Sequence, residues 1–373
     1  MALPPLGLYV HLPWCQSKCP YCDFNSHPLR EALPEAAYVE ALLRDLEQEV
    51  AALEGAVVTS LFLGGGTPSL FSGRAVADLL GGIRQRVDLA PHGEITMEAN
   101  PGTAEARRFA AYRRAGVNRL SLGVQSFDDD RLRRLGRIHD AGQARKAFEL
   151  ARSAGFDNIN LDLMYGLPGQ SKAQALADLD QALSLEPEHL SWYQLTLEPN
   201  TPFHHRPPPL PDHETLWAIQ EAGLARLAGA GYVRYEISAF ARPGRRCRHN
   251  LNYWCYGDYL GIGAGAHGKL TQGGDIGRYR KARHPRDYLN DQRRLDWRQV
   301  PPSERPLEFL MNALRLVDGV EEALFSARTG LASAVLEPGL SRLRAEGLLE
   351  PGRLQATPRG LDFLDELLLR FQA

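Results

Sequence analysis

The 373-residue chain has only five cysteines, an odd count that cannot be wholly paired into disulfides. It also lacks an excess of charge of either sign: 43 Lys and Arg stand against 45 Asp and Glu, a formal net charge of −2. Such a balance leaves no strong field to draw the chain to nucleic acid or to an anionic membrane. No apolar run of about 18 residues is present to form a transmembrane helix. Nor is there a cationic, apolar leader ending in a small-residue cleavage site. The phosphate-cradling pattern G-x4-G-K-S/T is missing, and no G-x-G-x-x-G opens a helix. These absences leave the expectation of a soluble, cytoplasmic protein in a reducing compartment, large enough for one large domain and a smaller one.

What is present begins with the cysteines. Cys15, Cys19 and Cys22 lie within eight residues as C-x3-C-x2-C, after the strand-like run 6–12. Crowding of this kind is a poor disulfide framework and a good metal framework. Three thiolates can hold three corners of a four-iron, four-sulfur (4Fe–4S) cluster and leave one iron open to an exogenous ligand. Pro20 restrains the turn between the second and third ligands. The competing reading is zinc, with His11 completing a Cys3His site.

Along the first half, strand-like runs at 6–12, 59–63, 94–99, 119–124, 159–164 and 190–196 alternate with amphipathic stretches at 34–53, 74–87, 103–115, 141–154 and 172–185. Repeated βα alternation predicts an α/β fold with a parallel sheet and helices outside it. Six units predict a partial (β/α)6 TIM-like barrel, and an open doubly wound sheet is the alternative. Residues with chemical potential sit at or after strand ends (64–67, Glu98, Gln125, Asp162, Thr196), where barrels build their sites. A proline-rich stretch, 199–211, leads to a helix reaching residue 230 and a strand at 232–240. The expected organisation is a core over 1–240, a segment over 241–300 packing on it, and a smaller α+β unit over 301–373. In that last unit, short strands about a Pro-Gly turn at 347–358 look like a winged helix. Arg and Glu are similar in number there, so a packing or lid role is expected rather than nucleic-acid binding.

Gly64-Gly65-Gly66-Thr67-Pro68 follows the apolar Leu61-Phe62-Leu63. Glycines at a strand end let backbone approach a ligand, although a tight βα turn alone would also use them. Together with the cysteine triplet, this loop resembles the radical S-adenosylmethionine (SAM) superfamily. The resemblance narrows to its group of coproporphyrinogen dehydrogenases and heme chaperones. It rests on Tyr9-Val-His11-Leu-Pro13-Trp14-Cys15, Cys22-Asp23-Phe24, Gly123-Val-Gln125-Ser126-Phe127 and Asp162-Leu-Met-Tyr-Gly166-Leu-Pro168-Gly-Gln170. The resemblance implies a 4Fe–4S cluster on Cys15, Cys19 and Cys22, with SAM chelated at the open iron. It also implies SAM contacts at Tyr9, Tyr21, Gly65, Gly66, Thr67, Glu98, Gln125, Arg137, Asp162 and Thr196. Glu98 and Asp162 can accept from hydroxyls or an ammonium, Arg137 can pair with a carboxylate, and Tyr21 can cover an adenine.

Two departures point to the chaperone branch. The dehydrogenase pattern carries another cysteine two residues after the triplet, where this chain has Phe24, and a long extension before the cluster, where 14 residues precede Cys15. In addition, His249-Asn250-Leu-Asn-Tyr253-Trp254 fits the H-N-x-x-Y-W motif of the chaperones. An imidazole can ligate heme iron and aromatic faces can pack on a macrocycle, so His249 is the first candidate heme ligand and His267 in Gly-Ala-His-Gly the second. Cys247 and Cys255 flank the motif and read as structural. The implied function is delivery of heme to an apo-hemoprotein, with a respiratory recipient bringing the chain to a membrane only through that partner. The alternative is oxidative decarboxylation of coproporphyrinogen. A third reading, a zinc-stabilised DNA-binding regulator, would rest on the C-terminal unit.

Overall fold

The computed structural model describes residues 3–50, 53, 55, 57–102 and 106–371. The ends of the predicted helical stretches at 51–52 and 103–105 lie outside the described residues. The six expected strands are β1 (Leu6–Leu12), β2 (Val57–Gly65), β3 (Asp88–Ala99), β4 (Arg119–Gln125), β5 (Ile159–Tyr165) and β6 (His189–Gln194). They lie side by side in chain order, all parallel. Between them run α1 (Glu35–Val50), α2 (Gly73–Arg84), α3 (Phe109–Ala115), α4 (Ala141–Ser153) and α5 (Lys172–Ser184). Helix starts are fixed locally: Asp140 with Gln143 and Ser171 with Gln174 form capping boxes on α4 and α5.

The strands are buried on both faces, but the two faces differ. Leu120, Leu122 and Val124 of β4 join a core containing Leu79, Phe109 and Phe148 of the helices. Each such side chain contributes about 1.5–3 kcal/mol by leaving water. The alternate positions are polar and buried, as with Arg119, Ser121 and Gln125 on β4 and Asn160 on β5. A period of two thus separates a dry outer layer from a polar interior.

The region after residue 230 departs from expectation twice. The predicted strand 232–240 is two strands, β7 (Val233–Glu236) and β8 (Ala239–Ala241), antiparallel to each other, with β8 antiparallel to β6. The turn between them is Ile237-Ser238, closed by Ser238 N–H donating to the Glu236 carboxylate at 3.2 Å. No glycine or asparagine announces it. In the segment 241–300 the helix Arg248–Trp254 lies against β1 and β2, and the strands that follow it continue the sheet. β9 (Asp258–Ile262) is a seventh parallel strand on the other side of β1, and β10 (His267–Gln272), β11 (Asp275–Arg280) and β12 (Leu295–Gln299) follow antiparallel. The order is β12-β11-β10-β9-β1-β2-β3-β4-β5-β6-β8-β7, open at both ends, a partial barrel.

The C-terminal part packs helices Arg305–Ala313, Glu322–Thr329 and Gly339–Ala345 beside a small pair, Val320–Glu321 with Arg353–Leu354. A bridge from Leu349 to Ala356 closes a wing about Pro351-Gly352. Phe309, Phe325 and Leu354 share a second core with Tyr235 and Tyr256, which fastens this part to the sheet. Arg344 and Arg353 are ion-paired with Glu322 and Glu321. Among the described residues no helix is long and apolar enough to cross a membrane.

Candidate functional site

The cysteine loop leaves β1 at its C-terminal end. It is closed by a two-residue parallel pairing, Trp14–Cys15 with His27–Pro28. Lys18 Nζ stiffens it from within, donating to the Phe24 carbonyl at 3.0 Å and to the Ser26 carbonyl at 3.3 Å. The three cysteines line one cavity of about 780 Å³ at the strand ends. Arg137 donates to Cys19 Sγ at 3.6 Å, and Ser26 Oγ lies 3.8 Å from Cys22 Sγ. Burial pushes the Cys15 and Cys22 thiols up, so as free thiols they are neutral. Metal coordination would take their protons outright. His11 is unavailable as a fourth zinc ligand: Nδ1 is 3.0 Å from Tyr9 Oη and Nε2 is 2.8 Å from the Asn25 carbonyl. Among the described residues, no three His, Cys, Asp or Glu side chains are grouped to hold a single ion. Three thiols on one cavity wall, with N–H and O–H donors beside two of them, fit a multi-iron cluster better than a lone zinc.

The glycine loop docks beside the root of the cysteine loop. Gly66 N–H donates to the Leu12 carbonyl at 2.9 Å and Thr67 N–H to the Trp14 carbonyl at 2.7 Å. A Cβ at Gly66 would sit 2.4 Å from the Trp14 oxygen, so only glycine allows this docking. Gly65, at φ +115°, donates its N–H to Glu98 Oε2 at 3.0 Å. Burial, then the charge of Asp162, pushes the Glu98 carboxyl up to about 7. Asp162, also pushed up by burial, accepts from Ser121 Oγ at 2.9 Å and Asn160 Nδ2 at 2.8 Å. Gln125 sits at a register shift of β4 with φ 71°, a bulge that re-aims its amide to accept from Tyr193 Oη at 3.0 Å. Arg137 is held by the Asn100 side chain at 2.8 Å and the Gly123 carbonyl at 2.7 Å. Thr196, bonded to Glu198 at 2.7 Å, and Tyr21, packed on Phe203, complete the walls. The Arg137 guanidinium and the Glu98 and Asp162 carboxyls thus line the same cavity, groups that could meet a ligand carrying both a carboxylate and an ammonium.

Of the residues singled out from sequence, the three cysteines, Tyr21, Gly65, Gly66, Thr67, Glu98, Gln125, Arg137, Asp162 and Thr196 all line this one cavity. Tyr9 does not. It lines an adjoining cleft of about 580 Å³ that shares Asp23, Phe24, Gly65 and Glu98 with the first. His249, expected at heme iron, is buried against the sheet. Its Nδ1 is 3.0 Å from Ser60 Oγ, its Nε2 is 3.0 Å from Tyr253 Oη, and its ring stacks on Phe62. Burial lowers its pKa to about 3, so it is neutral, but in this conformation neither nitrogen is free for a metal. Cys247 hydrogen-bonds Glu94 at 3.4 Å, and burial pushes it up to about 12, an inert thiol. Sequence reasoning missed Asn100, Ser121, Asn160 and Tyr193. Polar residues at alternate positions of apolar strands were the available signal for Ser121 and Asn160.

Residues 9–182 match the radical SAM superfamily, and residues 300–363 match the HemN C-terminal domain. The chain is 53% identical over 374 residues to a protein of Escherichia coli (strain K12) named heme chaperone HemW, covering 100% of this chain and 99% of that one. It is 36% identical over 361 residues to the heme chaperone HemW of Mycobacterium tuberculosis (strain ATCC 25618 / H37Rv), covering 94% and 92%. Among solved structures, the coproporphyrinogen III oxidase HemN of Escherichia coli superposes with a TM-score of 0.83 at 24% identity, over 99% of this chain and 90% of that one, a likeness of fold.

Proposed function

The chain belongs to the radical SAM superfamily, in the group of the HemW heme chaperones, and on that premise we propose that it binds heme and delivers it to an apo-hemoprotein. The observation that carries this reading is the likeness to heme chaperones along the whole chain. Phe24 supports it, since the dehydrogenase pattern has a cysteine at that place. The family implies a 4Fe–4S cluster and SAM. When bound, the cluster supplies low-potential electrons and an open iron for the amino and carboxylate groups of SAM.

The chain's own residues then have defined tasks. Cys15, Cys19 and Cys22 hold the cluster. Arg137 neutralises the SAM carboxylate, and Glu98 and Asp162 accept from its ammonium or ribose hydroxyls. Gly65, Gly66 and Thr67 present backbone, while Tyr21, Gln125 and Thr196 enclose the remainder. An oxygen-labile cluster would suit a reducing compartment such as the cytoplasm, and a membrane-bound recipient would be met by contact with that partner. Anaerobic reconstitution followed by iron, sulfide and heme quantification tests the reading. One cluster and one retained heme per chain are expected. Conversion of coproporphyrinogen to protoporphyrinogen in the presence of SAM and reductant would overturn it.

A pH dependence follows from Glu98. Its carboxyl is protonated below about 7, and a ligand that needs the carboxylate must first remove that proton. SAM affinity of the reconstituted protein should therefore rise as pH climbs from 6 to 8, measured by calorimetry. Glu98→Gln should flatten that rise and weaken binding by about tenfold, the scale of one charge-assisted hydrogen bond. An equally steep rise in the variant would assign the dependence to another group.

A further inference from the structure

The second cleft, which shares a wall with the cluster cavity, has the composition of a seat for a flat, dianionic macrocycle. Its body is aromatic: Tyr253 and Tyr259 meet edge-to-face at 4.6 Å between centroids, and Tyr9 stacks on Phe62. Phe24, 63% exposed, stands on the wall common to both cavities with an apolar ring open to whatever enters. Its volume, about 580 Å³, falls within the range of pockets that take small organic ligands and cofactors.

The polar groups lie on one side and come from adjacent strands. His267 opens β10 directly opposite Arg280 on β11, and Arg283 follows three residues on. The His267 imidazole is exposed and has no hydrogen-bond partner among the described residues, in contrast to His249, whose two nitrogens are both engaged. Arg283 has no carboxylate partner among the described residues, and Arg280 has only Asp296 in an exposed ion pair. Exposed pairs of this kind contribute little and yield readily to a better anion. The Arg283 backbone is fixed by Asn25 Nδ2, which donates to its carbonyl at 2.9 Å and to the Ala264 carbonyl at 3.0 Å, tying this rim to the cysteine loop.

We propose that this cleft is the heme seat, with His267 as the iron ligand, Arg280 and Arg283 as partners of the two propionates, and Phe24, Tyr9 and Tyr253 against the macrocycle. The assignment deepens the heme-chaperone reading and rests on it. His249 is then a positioning residue. Through its bond to Tyr253 Oη it sets one wall of the seat, and it touches neither iron nor propionate. A donor imidazole, two guanidiniums and flat apolar faces are the groups such a ligand requires.

Titration of the reconstituted full chain with hemin, followed by absorption and electron paramagnetic resonance, tests the proposal. His267→Ala should lose the wild-type Soret position and ligand-field signature and regain them on addition of free imidazole. His249→Ala should keep that signature even where affinity falls. Wild type should bind hemin dimethyl ester about tenfold more weakly than hemin, as loss of charge-assisted bonds implies. The double variant Arg280→Ala/Arg283→Ala should bind the two equally. If wild type binds hemin but both the His267→Ala spectrum and the ester discrimination of the arginine variant match wild type, the seat is elsewhere and the chaperone reading stands. If His249→Ala alone loses the signature, the ligand assignment is overturned. If wild type retains no hemin, the chaperone reading fails and the seat with it.

Discussion

Cys19→Ala should strip the protein of its cluster, with iron and sulfide after anaerobic reconstitution falling at least about tenfold. Loss of a mere supporting partner of a metal ligand already costs about 10–100-fold in affinity, and here a ligand itself is lost. The two remaining thiolates cannot hold the cubane. Cys19 is half-buried on the loop, and the pairing of Trp14–Cys15 with His27–Pro28 does not involve its side chain. Far-UV circular dichroism should therefore be unchanged, which separates loss of metal from loss of fold. Cys255→Ala, remote from the cavity, should reconstitute as wild type. Full iron content in Cys19→Ala would show that the ligands have been misassigned.

The second large effect concerns stability. Lys281, fully buried just beyond β11, makes ion pairs with Asp45 at 2.6 Å and Glu49 at 2.7 Å, both on α1. Arg294 reaches Glu49 at 2.6 Å, and Tyr288 Oη donates to Asp45 at 2.7 Å. Removing the cation leaves Asp45 with neutral donors only and Glu49 with Arg294 alone, and breaking a buried pair from one side costs about 3–5 kcal/mol. Lys281→Ala should lower unfolding free energy by that amount in urea titrations at pH 8. The sign of its pH dependence follows from Asp45. Burial, opposed by Lys281, pushes that carboxyl up to about 6, above its unfolded value. A carboxyl raised on folding loses stability as pH rises from the unfolded pKa through the folded one. Without Lys281 its pKa climbs further, so the variant's deficit should be smaller at pH 5 than at pH 8. A deficit below about 1 kcal/mol at pH 8 would mean that water reaches the site and solvates the acids.

The first half of the fold was legible because each βα unit is written locally, by a strand of alternating character followed by a capped amphipathic helix. The cysteine triplet and the glycine loop, which share one cavity, were legible for the same reason, being contiguous motifs. What escaped was non-local. β9 lies in the segment expected only to pack on the core, and its status as a seventh parallel strand depends on pairing with β1 about 250 residues earlier, which no local period encodes. Likewise Arg280 and Arg283 sit in a charge-mixed stretch that reads as a solvated surface, and only the topology sets them beside Tyr9 and Phe24. The motif made His249 the expected heme ligand, and the side chain's two bonds to Ser60 and Tyr253 were invisible in sequence. The Ile237-Ser238 turn was missed for want of turn residues.

The flanking of β1 on both sides has a consequence for how metal and chain depend on each other. The strand that launches the cysteine loop is an interior rung of the ladder, bonded in parallel to β9 and to β2 along Leu6–Val10. Interior rungs open only with the whole domain, whereas loops and margins open cheaply. Amide deuterium uptake at Leu8 and Val10 should then be equally slow in apo and reconstituted protein, while residues 16–26 should gain protection on reconstitution. On that outcome iron would arrive late and depart early without the barrel unravelling, and a chain newly stripped of its cubane would stay ready to be refilled.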